Sequence, residues 1–155
     1  MEDIENFDSW NNIKKDMHQN KNRVHFRQGE IWFVSIGQNI GYEVYGKGEK
    51  FLRPVVIFRK INKNTFLAIP LTSKIKEDKQ NSAILSQVKT IDAKRLAYKT
   101  GNLDRNVFEN LEKSFVEFFD LTPLSRGGYT HQEDEQRVNE VIISKKTKQI
   151  NKVVV

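Results

Sequence analysis

Between residues 27 and 103 the apolar side chains come in short runs, rich in β-branched and aromatic residues, and glycine, asparagine or polar clusters stop each one. Such runs pair as strands, because these side chains fit a pleated, half-buried surface. The Gln28-Gly29 turn signal introduces the first, Glu30 to Ile36. Arg53 to Arg59 is almost continuously apolar, as a strand buried on both sides requires. Asn62-Lys63-Asn64 predicts the turn that returns the chain along Thr65 to Leu71, with Pro70 near the strand's end, where a missing N–H does least harm. Ser82 to Val88 and Leu96 to Thr100 predict two further strands, the last closed by Gly101-Asn102. Gly37, Gly41, Gly46 and Gly48 mark 37–51 as a long flexible loop, a mobile lid, and 73–81 is a polar connection.

Two helices flank this β region. Val107, Phe108, Leu111, Phe115, Phe118 and Phe119 recur at helical spacing and predict one helix over 104–121 with an apolar face on the sheet. Asp104 stands where it can cap that helix, and Pro123 stops it. Near the N-terminus Asp8-Ser9 predicts a cap for a short helix to about Gln19, with Trp10, Ile13 and Met17 on one side. The chain therefore divides into an N-terminal helical extension (1–26), a mainly β domain with a C-terminal helix (27–123) and a tail (124–155) in which 132–143 predicts a short helix. Short strands, one long early loop and a closing helix predict a small, strongly bent barrel with the helix packed against it.

The chain has 155 residues, 37% of them hydrophobic and 30% charged, which suits one soluble globular domain. It has no cysteine, so disulfides, thiolate nucleophiles and cysteine-based zinc sites are excluded. The first residues are acidic, with no apolar segment of a secretory signal, and no apolar run is long enough to span a bilayer. A cytoplasmic protein with no membrane association is expected. The net charge of +6 and pI near 9.5 suit a polyanionic partner and equally suit a lysine-rich surface.

Several short segments occur in order. Gly29-Glu30-Ile31-Trp32 opens the first strand and is followed by Gly41-Tyr42-Glu43 in the glycine-rich loop. Arg53-Pro54-Val55-Val56-Ile57 comes next, then Ile69-Pro70-Leu71-Thr72-Ser73-Lys74, and last Ser86-Gln87-Val88-Lys89-Thr90-Ile91-Asp92 with Arg95-Leu96. Over about residues 29–121 this order and spacing resemble the MazF/PemK toxin family. The resemblance implies an SH3-like barrel, a homodimer, and a metal-independent endoribonuclease that cuts single-stranded RNA at short motifs, leaving 2′,3′-cyclic phosphate and 5′-hydroxyl ends. It also implies a cognate antitoxin, which holds the enzyme inactive by covering the loop at 37–51, and DNA binding by the toxin–antitoxin complex. No cofactor is implied. Its arginine at the start of the second strand corresponds to Arg53 and its threonine after the third to Thr72; Glu43 falls where an acidic or polar residue is frequent, and Gln87 and Asp92 fall near the RNA groove and dimer interface. The loop between Glu43 and Arg53 is longer than in shorter relatives, and the first 26 residues and the tail lie outside the family core.

The chemistry suits these residue types. RNA carries its own nucleophile, the 2′-hydroxyl, so no metal is required. Arg53 can hold the non-bridging phosphate oxygens as charge builds on them, but a guanidinium is a poor general base. Read alone, Arg53 better fits a rim salt bridge with Glu43 or Glu49, and it is the family resemblance that favours the phosphate. Thr72, assisted by Ser73, can bond the phosphate or orient the 2′-hydroxyl; it also fits an ordinary turn. Glu43, if burial raises its pKa, is the best carboxylate for the 2′-hydroxyl proton, and it also fits a solvated loop position. Lys50, Lys47 and Lys74 can follow the RNA backbone, and Tyr42, Tyr45 or Phe51 can stack on an unpaired base. Gly46-Lys47-Gly48 lacks the pattern of a dinucleotide fingerprint or P-loop. None of the three histidines, His18, His25 and His131, lies in the resembling core, and Glu133-Asp134-Glu135 reads as a solvated face rather than a metal site. Two other readings stay open: a toxin of the same fold that inhibits DNA gyrase, and a non-catalytic SH3-like module that binds RNA or protein.

Overall fold

The structure is a computed structural model that describes residues 2–22, 24–72 and 82–119. Six strands and two helices order as α1 (Glu2–Gln19), β1 (Glu30–Ser35), β2 (Leu52–Lys60), β3 (Thr65–Thr72), β4 (Ser82–Ala83), β5 (Lys89–Asp92), β6 (Leu96–Asn102) and α2 (Arg105–Phe119). The strands form one antiparallel sheet in the order β4-β3-β2-β1-β6, with β5 also pairing to β3. The sheet curls without closing, giving the small barrel-like fold with a helix at each end of the chain that the sequence predicts. Register shifts at Ile31/Trp32, Phe33/Val34 and Ile57/Arg59 add to the curl, since a bulge bends and twists its strand.

Alternation along the strands builds two cores. Trp32, Val34, Val55, Ile57, Phe66, Ala68, Ile91 and Leu96 meet inside the curl, with Phe26 below them. Val56, Phe58, Ile69, Leu71, Ala83 and Leu85 face the other way, onto Leu111 of α2. β2 feeds both cores, which is why its apolar run is unbroken. At the foot of β1 the buried Glu30 carboxylate accepts bonds from Trp32 Nε1 (2.9 Å), Lys99 Nζ (2.9 Å) and the Arg27 N–H (3.0 Å).

Several elements depart from expectation. α1 begins at Glu2, so Asp8 and Ser9 lie within it rather than at its cap. Only Ser82–Ala83 of the predicted 82–88 strand pairs. The chain then makes a 3-10 turn over Leu85–Gln87, freeing the rest of the β3 edge for the unpredicted strand Lys89–Asp92. Gly101 and Asn102 continue β6 against Ile31 and Glu30 instead of closing it. Val107 and Leu111 of α2 are buried, but Phe118 and Phe119 are exposed, with the Phe119 ring meeting Phe118 edge-on and lying tilted against Phe115. The loop 37–51 is tied down: Ile36 N–H donates to Phe51 O, Gly46 N–H to Ile36 O, and Lys47 and Leu52 exchange a pair of bonds. Ser73–Asn81 and the tail, with its predicted helix, lie outside the described residues. Among the described residues no helix is long and apolar enough to cross a membrane.

The predicted stripe of α1 faces the domain, with Trp10 buried and Ile13 and Met17 half-buried. The Trp10 ring meets Phe51 edge-on at 5.6 Å and lies on Gly37, where an added Cβ would come within 1.8 Å of it. Glycine is therefore required at 37. At the other end Lys94 Nζ donates to the carbonyl of His18 (2.6 Å), satisfying one of the open acceptors that end a helix.

Candidate active site

Opposed residues of an antiparallel pair share a face of the sheet. Arg53, at the start of β2, pairs with Val34 and lies in line with Val55 and Ile57, so it belongs to the first core's face. The β2–β3 register pairs Val56 with Ile69 and Val55 with Pro70; continued by two residues, it sets Thr72 opposite Arg53. Lys89, the first residue of β5, pairs with Ala68 and stands two residues from Ile91, again on that face. The first core therefore ends, on one side, in a rim that carries Arg53, Thr72 and Lys89. Arg95 joins it from the 3-10 turn that leads into β6, donating from Nη1 to Ser35 O (3.3 Å), with its guanidinium 5.2 Å from the Trp10 ring centre.

This rim is a half-buried cationic cluster. Burial lowers the pKa of Arg53 below the ordinary arginine value, and does the same to Arg95, where Asp92 partly opposes it. Lys89 is also lowered, first by burial; Glu43 acts against the shift, while Arg95 and Arg53 add to it. Glu43, Arg95 and Arg53 are thus each in electrostatic reach of Lys89. Arg53 gives Nη1 to Tyr45 O (2.9 Å), but its Nε is buried and has no hydrogen-bond partner. An unmatched buried donor is uncommon in folded proteins and here belongs to the residue best suited to bind an oxyanion.

The loop hangs over this cluster. Gln87 accepts from Val44 N–H (3.3 Å) and donates to Tyr42 O (3.4 Å), and Asn39 Nδ2 donates to Val44 O (2.8 Å). Gly41, at φ +58°, makes the turn that closes with Glu43 N–H on Ile40 O. The turn leaves Ile40 and Tyr42 fully outside, at 80% and 101% exposure. Glu43 is exposed as well, not buried as its expected role called for; its relation to the site is its field on Lys89. Thr72 is half-buried opposite Ser82, whose hydroxyl is buried without a hydrogen-bond partner. Lys50 is exposed on the 47–52 turn. Ser73 and Lys74 lie outside the described residues. Among the described residues no three His, Asp or Glu side chains converge to hold a metal ion.

A family model described as PemK-like, MazF-like toxin of type II toxin–antitoxin system matches residues 27–119. The chain belongs to this family. No curated protein matches it. The matched stretch of this PemK/MazF toxin holds Glu43, Arg53, Thr72, Gln87 and the two cations that sequence reasoning did not single out, Lys89 and Arg95. It begins after α1, so Trp10, which touches Arg95 and Phe51, is an addition of this chain to the matched toxin domain. Lys89 was hidden because its strand is four residues long and not apolar, and pairs with a strand that is not its neighbour in sequence.

Proposed function

We propose that this toxin is a metal-independent, sequence-selective endoribonuclease that acts in the cytoplasm on single-stranded RNA, as a homodimer restrained by a cognate antitoxin. The observation that carries this reading is the cationic rim, above all the half-buried Arg53 with an unmatched Nε, at the start of β2 where Thr72 ends the neighbouring β3. The 2′-oxygen attacks the adjacent phosphorus, the P–O5′ bond breaks, and the products carry a 2′,3′-cyclic phosphate and a 5′-hydroxyl. Arg53 holds the non-bridging oxygens, where charge grows most in the transition state. Thr72 orients the 2′-hydroxyl or a phosphate oxygen. Glu43 accepts the 2′-hydroxyl proton, and Lys89, whose pKa is lowered chiefly by burial, gives a proton to the leaving 5′-oxygen. Ser73, Lys74, Lys50, Gln87 and Tyr42 bind the flanking RNA, Tyr42 by stacking on a base.

The testing experiment incubates the protein with a long single-stranded RNA in EDTA and maps the 5′ ends. Discrete cuts bearing 5′-hydroxyls, lost in Arg53→Ala, support the reading. A folded protein that cuts nothing, with EDTA or with magnesium, overturns it.

A further inference from the structure

α1 and the loop leave an open cleft of about 510 Å³ between them, lined by Asn6 and Ser9 of α1 and by Tyr45, Lys47, Glu49 and Phe51 of the loop. That size suits a small-ligand site. The lining is varied: a half-open aromatic ring in Tyr45, an amide, a hydroxyl, a cation and a carboxylate. Among the described residues, the side chains of Asn6, Ser9, Lys47 and Glu49 make no hydrogen bond or ion pair to the protein, so their polar groups are available to a ligand. The cleft adjoins the cationic rim, because the backbone carbonyl of its Tyr45 takes the Nη1 bond of Arg53. Its far wall is fixed: Trp10, buried between Asn6 and Ile13 on the docked stripe, wedges against Phe51 and Gly37.

We propose that this cleft is a subsite for one unpaired nucleotide flanking the scissile phosphate, whose base is read by Asn6 and Ser9. The proposal rests on the ribonuclease reading of the neighbouring rim. A base stacked on Tyr45 presents its edge to the helix, where an amide supplies both a donor and an acceptor and a hydroxyl supplies either. Lys47 faces the connecting phosphate, and Glu49 disfavours a phosphate placed deeper. An aromatic face with polar groups at its margin is how single-stranded RNA is held one base at a time. Because α1 precedes the matched toxin domain, the subsite gives this chain a base preference that the domain alone does not encode.

The test uses the full chain on a set of single-stranded RNAs randomised on both sides of the cut, in parallel with binding of the same RNAs carrying a 2′-deoxy sugar at the cut, which cannot react. Asn6→Ala with Ser9→Ala is expected to raise KM by about tenfold on the preferred RNA, to leave kcat within about twofold, and to flatten base preference at one flanking position. Ser9→Phe, which fills the cleft, is expected to do the same more strongly. Asn11→Ala, exposed and turned away around α1 at about 3.6 residues per turn, is expected to change nothing. If the parent cleaves and the double variant keeps both KM and base preference, the subsite is overturned while the ribonuclease stands. If the parent binds the RNAs without cutting, and the double variant weakens binding at one position only, the subsite holds and the ribonuclease reading fails. A parent that neither cuts nor binds the RNAs overturns both.

Discussion

On the proposed reading, Arg53 is the residue on which the chemistry turns. Its guanidinium is partly desolvated and half-engaged by the protein, which leaves donor capacity for the phosphate of the proposed substrate. Arg53→Ala is expected to lower kcat by about 10²–10³-fold, as loss of one oxyanion donor does, with an unchanged circular dichroism spectrum. Thr72→Ala is expected to lower it by a comparable or smaller factor. If both variants cut as well as the parent, the rim is not the active site. Lys89 makes a prediction in pH. Burial, with Arg95 and Arg53, holds its pKa below the ordinary lysine value of 10.5, so loss of its proton ends its service as an acid at a pH lower than a surface lysine would allow. The rate should therefore fall on an alkaline limb below that value; Lys89→Arg should be slower and lack this limb over the same range. An identical pH profile in the variant would remove Lys89 from the mechanism. Glu30 speaks to stability instead. Burial alone would raise its pKa, but the bonds from Lys99, Trp32 and Arg27 outweigh it and the net shift is downward. A depressed carboxylate stabilises the fold above its unfolded pKa and loses that contribution as pH falls through the folded value. Glu30→Gln should cost about 1–3 kcal/mol near neutral pH, and less in acid, measured by urea unfolding at several pH values.

At the scale of elements, the β2–β3 hairpin shows how much a sequence can place. The Asn62-Lys63-Asn64 turn stands midway between Arg53 and Thr72, so folding back about it sets the two opposite each other. The apolar run between Arg53 and Arg59 likewise announced a buried strand, which the structure shows to be shared by two cores. Two things were not legible. β5 carries Lys-Thr-Ile-Asp, a segment with one core residue, and only its long-range pairing to β3 makes it a strand. The amphipathic spacing of α1 identified its buried stripe and favoured a helix docked on the domain, but not the place where it docks, since helical periodicity says which side is covered and nothing of which residues cover it. That destination is testable. Trp10→Ala should release α1 so that limited proteolysis cuts near residues 20–24 while the domain from 27 onward stays intact; Trp10→Phe should stay protected. Equal protection in both variants would mean that Trp10 does not anchor the helix.

At the scale of the whole molecule, one sheet divides two cores with different duties. The first ends in the cationic rim, and the second is covered by α2. Leu111, 1% exposed at the centre of the second, should cost about 2–5 kcal/mol when cut back to alanine, measured by chemical denaturation. KM and kcat should be preserved wherever the variant remains folded, because the rim lies on the other face of the sheet. A changed kcat in folded Leu111→Ala would show instead that the two faces are coupled.

The backbone of Phe51 holds a last consequence. At φ +48° it occupies a left-handed conformation that a bulky side chain adopts at a cost of about 1–3 kcal/mol, and it is the one described residue other than glycine to do so. Its ring is held under Trp10, and its carbonyl receives the Ile36 N–H that fixes the loop. That strain is stored where the loop meets α1, so Trp10→Ala, by freeing the helix, is expected to let the backbone at Phe51 relax and to loosen the chain beside Arg53. An extension that precedes the matched domain would in that way adjust the toxin from outside the cationic rim.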